Sequence, residues 1–278
     1  MPQLIGYFSN KYANKELITN YQGKILIKTN LSDHIESQIF WQDVQEGDRG
    51  EVALMKKILN DGDVFIDIGA NVGVFSLIAA AHNQNGQIHA FEPYSYHYNR
   101  LKQNVSINNF QNIAINCLAL SDTHSKLDLF IPNTNNTGMA SLFADTHHYS
   151  NYKKEKVFVT TLDIYAKAKQ LQRLDLIKLD VEGAELKVLK GCKTLINRHN
   201  PLIMMEVNKE HLKRAECSYL DVLNFFNTYN YNIYKINHNG KLSRILSEEN
   251  LSAHQNIFCL PKTSNIPNTL ISMDRMVK

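Results

Sequence analysis

VFIDIGANVG, from Val64 to Gly73, decides the fold. Val64, Phe65, Ile66 and Ile68 make an apolar run with the length and β-branched character of a strand covered on both faces. VFSLIAAA, Val74 to Ala81, reads as the helix that follows. Between them lie Asp67, Gly69, Ala70, Asn71 and Gly73. The two glycines lack the Cβ that would hold a ligand away from the main chain, and Asn71 tolerates left-handed backbone angles. A buried strand opening into such a turn predicts a cradle for a nucleotide-bearing cofactor.

The spacing selects among cofactors. A dinucleotide fingerprint needs glycine at the first, third and sixth positions. Counted from Gly69, those positions hold Gly69, Asn71 and Val74, so the pattern fails at the third glycine. Asp67 instead stands at the strand end, where a carboxylate accepts from a cationic amino group rather than admitting a pyrophosphate. QIHAFE, Gln87 to Glu92, predicts a second strand ending in an acid 25 residues after Asp67. Glu92 is then placed to accept from ribose hydroxyls. Together these residues favour S-adenosylmethionine as cofactor.

The strings DIGANVGVFSLIAA, HAFEPYSYHYNRLKQNVSIN, LALSD, TTLDIY and LIKLDVEGAELKVLKG occur in this order between Glu51 and Asn208. In that order and spacing the chain resembles the FkbM family of class I methyltransferases. The resemblance implies an S-adenosylmethionine-dependent transferase, commonly acting on a hydroxyl of a sugar, polyketide or other specialised metabolite, which is an inference by analogy.

Composition fits one large domain. The chain has 278 residues, 44% of them hydrophobic, enough for a single α/β core with a small cap. Thirty basic and 27 acidic residues give a net charge of +3, scattered along the chain. That pattern, with no Asn-Pro-Pro-Tyr motif, speaks against a nucleic-acid partner. Cys117, Cys192, Cys217 and Cys259 lack metal-type spacing and read as reduced core residues, so a cytoplasmic location is expected. No apolar run reaches the length of a signal peptide or a membrane span.

The expected architecture is a Rossmann-like α/β fold. It has a seven-stranded, mostly parallel sheet with helices on both faces, an N-terminal cap and a β insertion between the third and fourth strands. Residues 1–47 form the cap, with a short strand at KILIK (Lys24 to Lys28) and an apolar but irregular stretch at IESQIFW. Its Phe40 and Trp41 are expected near the cofactor mouth. Residues 48–262 form the methyltransferase domain, and 263–278 a loose tail. Glu51 to Leu59 reads as an amphipathic helix stopped by Asn60-Asp61-Gly62-Asp63. The third strand is Ile113 to Leu120, the fourth Leu174 to Leu179, the fifth Pro201 to Met205. YNIYKIN and NIFCLP supply a closing antiparallel hairpin. LDLFIP and KVFVTT are strands within 121–160, taken as a substrate lid. Thr160, with Asp163 three residues on, reads as a capping-box start for the helix that follows.

Methyl transfer from a sulfonium is an in-line displacement, so alignment and exclusion of water dominate. An alcohol acceptor also needs a general base or a metal to remove its proton. The fourth strand ends in KLDVEGAE, which gathers Lys178, Asp180, Glu182 and Glu185. Alternation puts Lys178, Asp180 and Glu182 on one side. Asp180 is the leading base or ligand, with Glu182 and Lys178 as catalytic candidates. Asp180 and Glu182 also have a plainer role open to them: capping the helix that begins near Gly183, or pairing with Lys178. Asp122, in LALSD, is placed to approach the adenine or to serve as a turn residue.

Glu206, Asn208, His147 and Trp41 are the substrate candidates, and Tyr149 and Tyr152 are aromatics suited either to a sugar face or to packing. Asp180, Glu206 and Asn208 together would suit a magnesium ion. His147 and His148 read either as exposed loop residues or as a base or metal site. The expected partner is a small-molecule acceptor. A nicotinamide-dependent oxidoreductase and a non-catalytic cofactor-binding protein are the rival readings. A YxxxK string at Tyr98 to Lys102 is dehydrogenase-like in form, but it lies on the wrong helix.

Overall fold

Alternation between apolar strands and amphipathic helices closes into an α/β fold around a large mixed sheet. The computed structural model describes residues 15–44, 46–144, 151–247 and 251–271. β1 (Glu16–Tyr21) and β2 (Ile25–Asn30) pair antiparallel, and α1 (His34–Gln42) and α2 (Arg49–Ile58) follow. β3 (Val64–Ile68), α3 (Val74–His82), β4 (Gln87–Phe91), α4 (Ser95–Ile107) and β5 (Ile113–Asn116) make the first half of the main sheet. β6 (Ala119–Leu120), β7 (Ser125–Pro132) and β8 (Tyr152–Thr160) form a separate sheet with order β6-β8-β7. Then come α5 (Leu162–Lys169), β9 (Leu176–Leu179), α6 (Glu185–Lys190), α7 (Lys193–His199), β10 (Leu202–Asn208), α8 (Lys209–Arg214) and α9 (Tyr219–Thr228). β11 (Tyr231–Ile236), β12 (Leu242–Ile245) and β13 (His254–Pro261) complete the main sheet.

The main sheet has eight strands in the order β12-β11-β13-β10-β9-β3-β4-β5, where seven were expected. β5, β4, β3, β9 and β10 run parallel, and β13 is antiparallel to β10. The additional strand is β12, which forms the hairpin with β11, while β13 inserts between β11 and β10. After β3 the chain builds outward through β4 and β5, then crosses back to place β9 on the other side of β3. The strand order therefore reverses between β3 and β9, the position where open α/β sheets hold ligands outside their carboxyl ends.

Two apolar layers sandwich the sheet. Ile66, Ile68, Ile177, Leu179, Ile203 and Met205 pack on one face with Leu186, Leu189 and Phe226. Phe65, Ile88, Leu176 and Met204 pack on the other with Leu54, Met55, Phe75 and Leu77.

Several boundaries differ from the sequence expectation for physical reasons. The third strand ends at Asn116, and Ala119–Leu120 pairs with β8 instead of continuing in the main sheet. Cys117 stands at that exit and is exposed, so it is not a core residue; all four cysteines are free. The irregular stretch at 35–41 is helical. Its buried face carries Ile35, Glu36 and Ile39, and Glu36 is ion-paired at 2.7 Å with Arg100 of α4. A charge inside the apolar stripe hid the period.

The cap of α5 is Thr161, whose side chain accepts from the Ile164 amide. Asp163 caps α7 by accepting from the amides of Thr194 and Leu195. Part of the expected tail is packed: Leu270 is buried and Ile271 bridges to Leu242. The edge of β2 is protected, because Asn108 and Asn104 accept from the amides of Leu26 and Lys28. No described helix is long and apolar enough to cross a membrane.

Candidate active site

The reversal point opens into a cavity of about 330 Å³. Its floor is the β3–α3 turn. Gly69 has φ +82°, and a Cβ there would lie 1.7 Å from the Asp180 carbonyl oxygen, so the ends of β3 and β9 approach only because residue 69 is glycine. Asn71 has φ +51°, and its amide donates to Glu92 Oε2 at 2.8 Å. Gly69, Ala70 and Asn71 line the cavity. Gly73 does not; it adopts φ +95° against Leu101 and shapes the turn from behind.

Asp67 lies across from Lys178 in the β3–β9 register. One of its oxygens accepts from Ser76 Oγ at 2.6 Å; the other, Oδ1, is buried with no hydrogen-bond partner among the described residues. An orphaned buried carboxylate oxygen is costly unless a ligand completes it. Burial raises the Asp67 carboxyl above its ordinary value, and Lys178 opposes that.

Glu92 lines the cavity with both oxygens held, Oε2 by Asn71 and Oε1 by the Tyr94 amide at 2.8 Å. Those bonds use one lone pair on each oxygen and leave the others for hydroxyls. Burial pushes Glu92 up to about 7. A cationic amino group at Asp67 and a diol at Glu92 would both be satisfied, so these residues fit S-adenosylmethionine. Asp122 is exposed, accepts from Ser121 Oγ at 3.2 Å and stands outside the cavity lining.

The ends of β9 and β10 carry further acids. Lys178 is buried, donates to Asp180 Oδ2 at 3.0 Å and lies 4.4 Å above the Phe75 ring. Burial alone would lower its pKa, but Asp180, Glu51, Asp67 and Asp48 hold it above the ordinary lysine value. Glu182, with φ +55°, sits in the turn after β9 rather than on an extended strand, so alternation does not set its side. Burial, with Asp180 next, raises Glu182 to about 8. Glu206 and Asn208 belong to β10 rather than following it. Glu206 accepts from or donates to His254 Nε2 at 2.6 Å, and burial raises it to about 7. Asn208 caps α8 through the amides of Glu210 and His211.

The expected Asp180, Glu206 and Asn208 metal set is therefore not assembled as such. Asp180 is committed to Lys178 and Asn208 to the helix. Trp41 is not part of the cavity lining; its neighbours Ile35 and Ile39 are. His147, His148 and Tyr149 fall outside the described residues.

Sequence reasoning missed Asp48, His211 and His254, which line the cavity, and the segment Gly138 to Leu142 that roofs it. Gly138 fits between Ile35 and Asn71, where a Cβ would come within 2.0 Å of Ile35 Cδ1. Glu51, read only as the start of an amphipathic helix, is buried and accepts from Asn256 at 2.7 Å. These residues lie at no motif spacing; only the sheet order brings them together.

Glu92, Glu185 and Glu206, raised to about 7, and Glu182, raised to about 8, retain protons in the fold where the unfolded chain has lost them. Their raised values stabilise the ligand-free protein below pH about 4.5, and that contribution is lost as pH rises through about 7 to 8. Thermal unfolding of the ligand-free protein should come roughly 5 °C lower at pH ~8.5 than at pH ~6. Equal midpoints would contradict this picture of the cavity.

Residues 67–233 match the family model of the methyltransferase FkbM domain. The chain is 28% identical over 148 residues to "Methyltransferase 1" of Beauveria bassiana, covering 47% of this chain and 59% of that protein. It is 32% identical over 155 residues to "Methyltransferase sdnD" of Sordaria araneosa, covering 45% and 59%. The chain thus spans about three fifths of the length of these relatives. Among solved structures it resembles methyltransferase FkbM from Methylobacillus flagellatus, at 16% identity and a TM-score of 0.47, covering 72% of this chain and 44% of that one. The family match extends over more than half of the sequence, from Asp67 at the end of β3 through the acidic ends of β9 and β10. The chain belongs to the FkbM methyltransferase family.

Proposed function

We propose that the protein transfers the methyl group of S-adenosylmethionine to a hydroxyl of a small polar acceptor: a sugar, glycan or specialised metabolite. The observation that supports this most is a single cavity lined on one side by Asp67, Gly69, Asn71 and Glu92 and on the other by Lys178, Asp180, Glu182, Glu206 and Asn208. Asp67 would hold the cofactor's amino group and Glu92 its ribose hydroxyls. When bound, S-adenosylmethionine supplies an electrophilic methyl carbon, whose bond to sulfur breaks as a bond to the acceptor oxygen forms. The chain's own work is then to orient the acceptor and take up its proton.

Asp180 is the proposed base. It lines the cavity, and its side chain is 32% exposed, so a substrate can reach it. Lys178, in contact with it, fixes its rotamer. Glu206 and Asn208 are proposed to bind the acceptor, and residues 121–160 to cover it as a lid. We assign residues 1–47 as a cap and 48–262 as the catalytic domain, working in the cytoplasm.

The test is to supply methyl-labelled S-adenosylmethionine with a panel of glycosides and hydroxylated metabolites. The expected product is an alkali-stable methyl ether. Label recovered only in base-labile esters or in amines would overturn the hydroxyl assignment. Asp180→Asn should keep cofactor binding and lose turnover by about 100-fold or more. Turnover within about twofold of wild type would move the base elsewhere.

A further inference from the structure

A carboxylate is a weak base toward an alcohol, so a hydroxyl acceptor needs help in losing its proton. Beside Asp180 stand Glu182 and His211, which the proposed reaction has not used, together with Glu206, one of the proposed acceptor-binding residues. Glu182 comes from the turn after β9, Glu206 from β10 and His211 from α8, and one ligand-type atom from each lies within 4.8 Å of the other two.

Two of those residues present a second, independent sign of a missing ligand. Glu182 Oε2 and His211 Nδ1 are 2.9 Å apart, yet both atoms are buried and neither completes a hydrogen bond among the described residues. Buried polar atoms are seldom left in that state.

The surroundings hold this group in place. Glu185 Oε1 accepts from the amides of Val181 at 3.2 Å and Gly183 at 3.0 Å, bracing the turn that carries Glu182. Ser141 of the β7–β8 connection donates to the Glu182 carbonyl at 2.7 Å. Glu182 itself is kept at φ +55°, an unfavourable backbone state that persists where neighbours over-determine it. Gly183 lets the turn press against α8, since a Cβ there would lie 2.7 Å from the His211 carbonyl oxygen. His254, 2.6 Å from Glu206 Oε1, orients that carboxylate as an outer partner.

We propose that Glu182, Glu206 and His211 form a site for a first-row divalent transition ion. One imidazole with two carboxylates suits Mn²⁺ or Zn²⁺ better than the all-oxygen coordination that Mg²⁺ and Ca²⁺ favour. Glu206 is kept from the magnesium set, while Glu182 and His211 take the places of Asp180 and Asn208. The ion's role rests on the methyl-transfer reading: bound beside Asp180, it would lower the pKa of an acceptor hydroxyl. The site itself does not depend on that reading.

The test uses the full chain, stripped of metal and of any affinity tag, dialysed against Mn²⁺ or Zn²⁺ and analysed for bound ion. S-adenosylmethionine is titrated in parallel. Wild type should take up one ion per chain. Glu182→Gln and His211→Ala should each bind it at least about tenfold more weakly while keeping cofactor affinity. Glu206→Gln stands in for either variant if it does not fold. No stoichiometric uptake by wild type, or undiminished uptake by the variants, overturns the site. Cofactor binding without ion uptake would remove the metal and leave the methyltransferase reading intact. Ion uptake without cofactor binding would do the reverse.

Discussion

Lys178→Met is expected to destabilise the fold by about 3–5 kcal/mol, because it removes one partner of a buried ionic cluster and leaves the others uncompensated. Asp180 pairs directly with Lys178 at 3.0 Å, and Asp67, Glu51 and Asp48 lie close enough to help hold it charged. Methionine has similar volume and would keep contact with Phe75, so packing is a minor part of the loss. Those carboxyls can respond only by taking up protons. The deficit should therefore be largest above pH about 7 and shrink on acidification. Urea unfolding of wild type and variant at pH ~8 and pH ~5.5 reads both effects. A loss below about 1 kcal/mol at the higher pH would mean that Lys178 does not carry the charge balance of the site.

Asp67→Ala is expected to weaken S-adenosylmethionine binding by about 10- to 100-fold while the protein remains folded, the range for losing a hydrogen bond to a charged group. Oδ1 is buried and unpartnered among the described residues, and Asp67 lines a cavity whose floor admits a ligand to the main chain. The fold should tolerate the change: the substitution removes one of several like charges around Lys178, and Ser76 loses a single acceptor. Wild-type affinity with an intact fold would assign Asp67 to structure alone. Unfolding would show that the Asp67–Ser76 contact matters more than its ligand face.

The half of the cavity proposed for the cofactor is legible in the sequence because it is local. Asp67 through Gly73 is one strand end and one turn, and Glu92 directly follows the next strand, so spacing carries the geometry. The acidic half is only partly local. Lys178, Asp180 and Glu182 are adjacent, and their proximity is readable, but the left-handed turn at Glu182 is not.

His211 and His254 are lone histidines at no motif spacing. They enter the site because β13 runs antiparallel beside β10 and α8 follows it. The same reason hides α1, where Glu36 interrupts the apolar face and finds its partner on α4, 64 residues away. The split of the third strand at Cys117 and the extra strand β12 depend on pairings with β8 and β11 that no local pattern records. Local chemistry is thus visible from residue order, whereas long-range pairing becomes visible only with the sheet.

The cradle at Asp67, Gly69, Asn71 and Glu92 is proposed to serve S-adenosylmethionine. Calorimetric titration of the purified chain with S-adenosylmethionine, S-adenosylhomocysteine and NAD in parallel tests it most directly. Binding of the first two with affinities on the order of micromolar, and none of the third, is the predicted result. Preference for NAD, or no binding of any of the three, would contradict it.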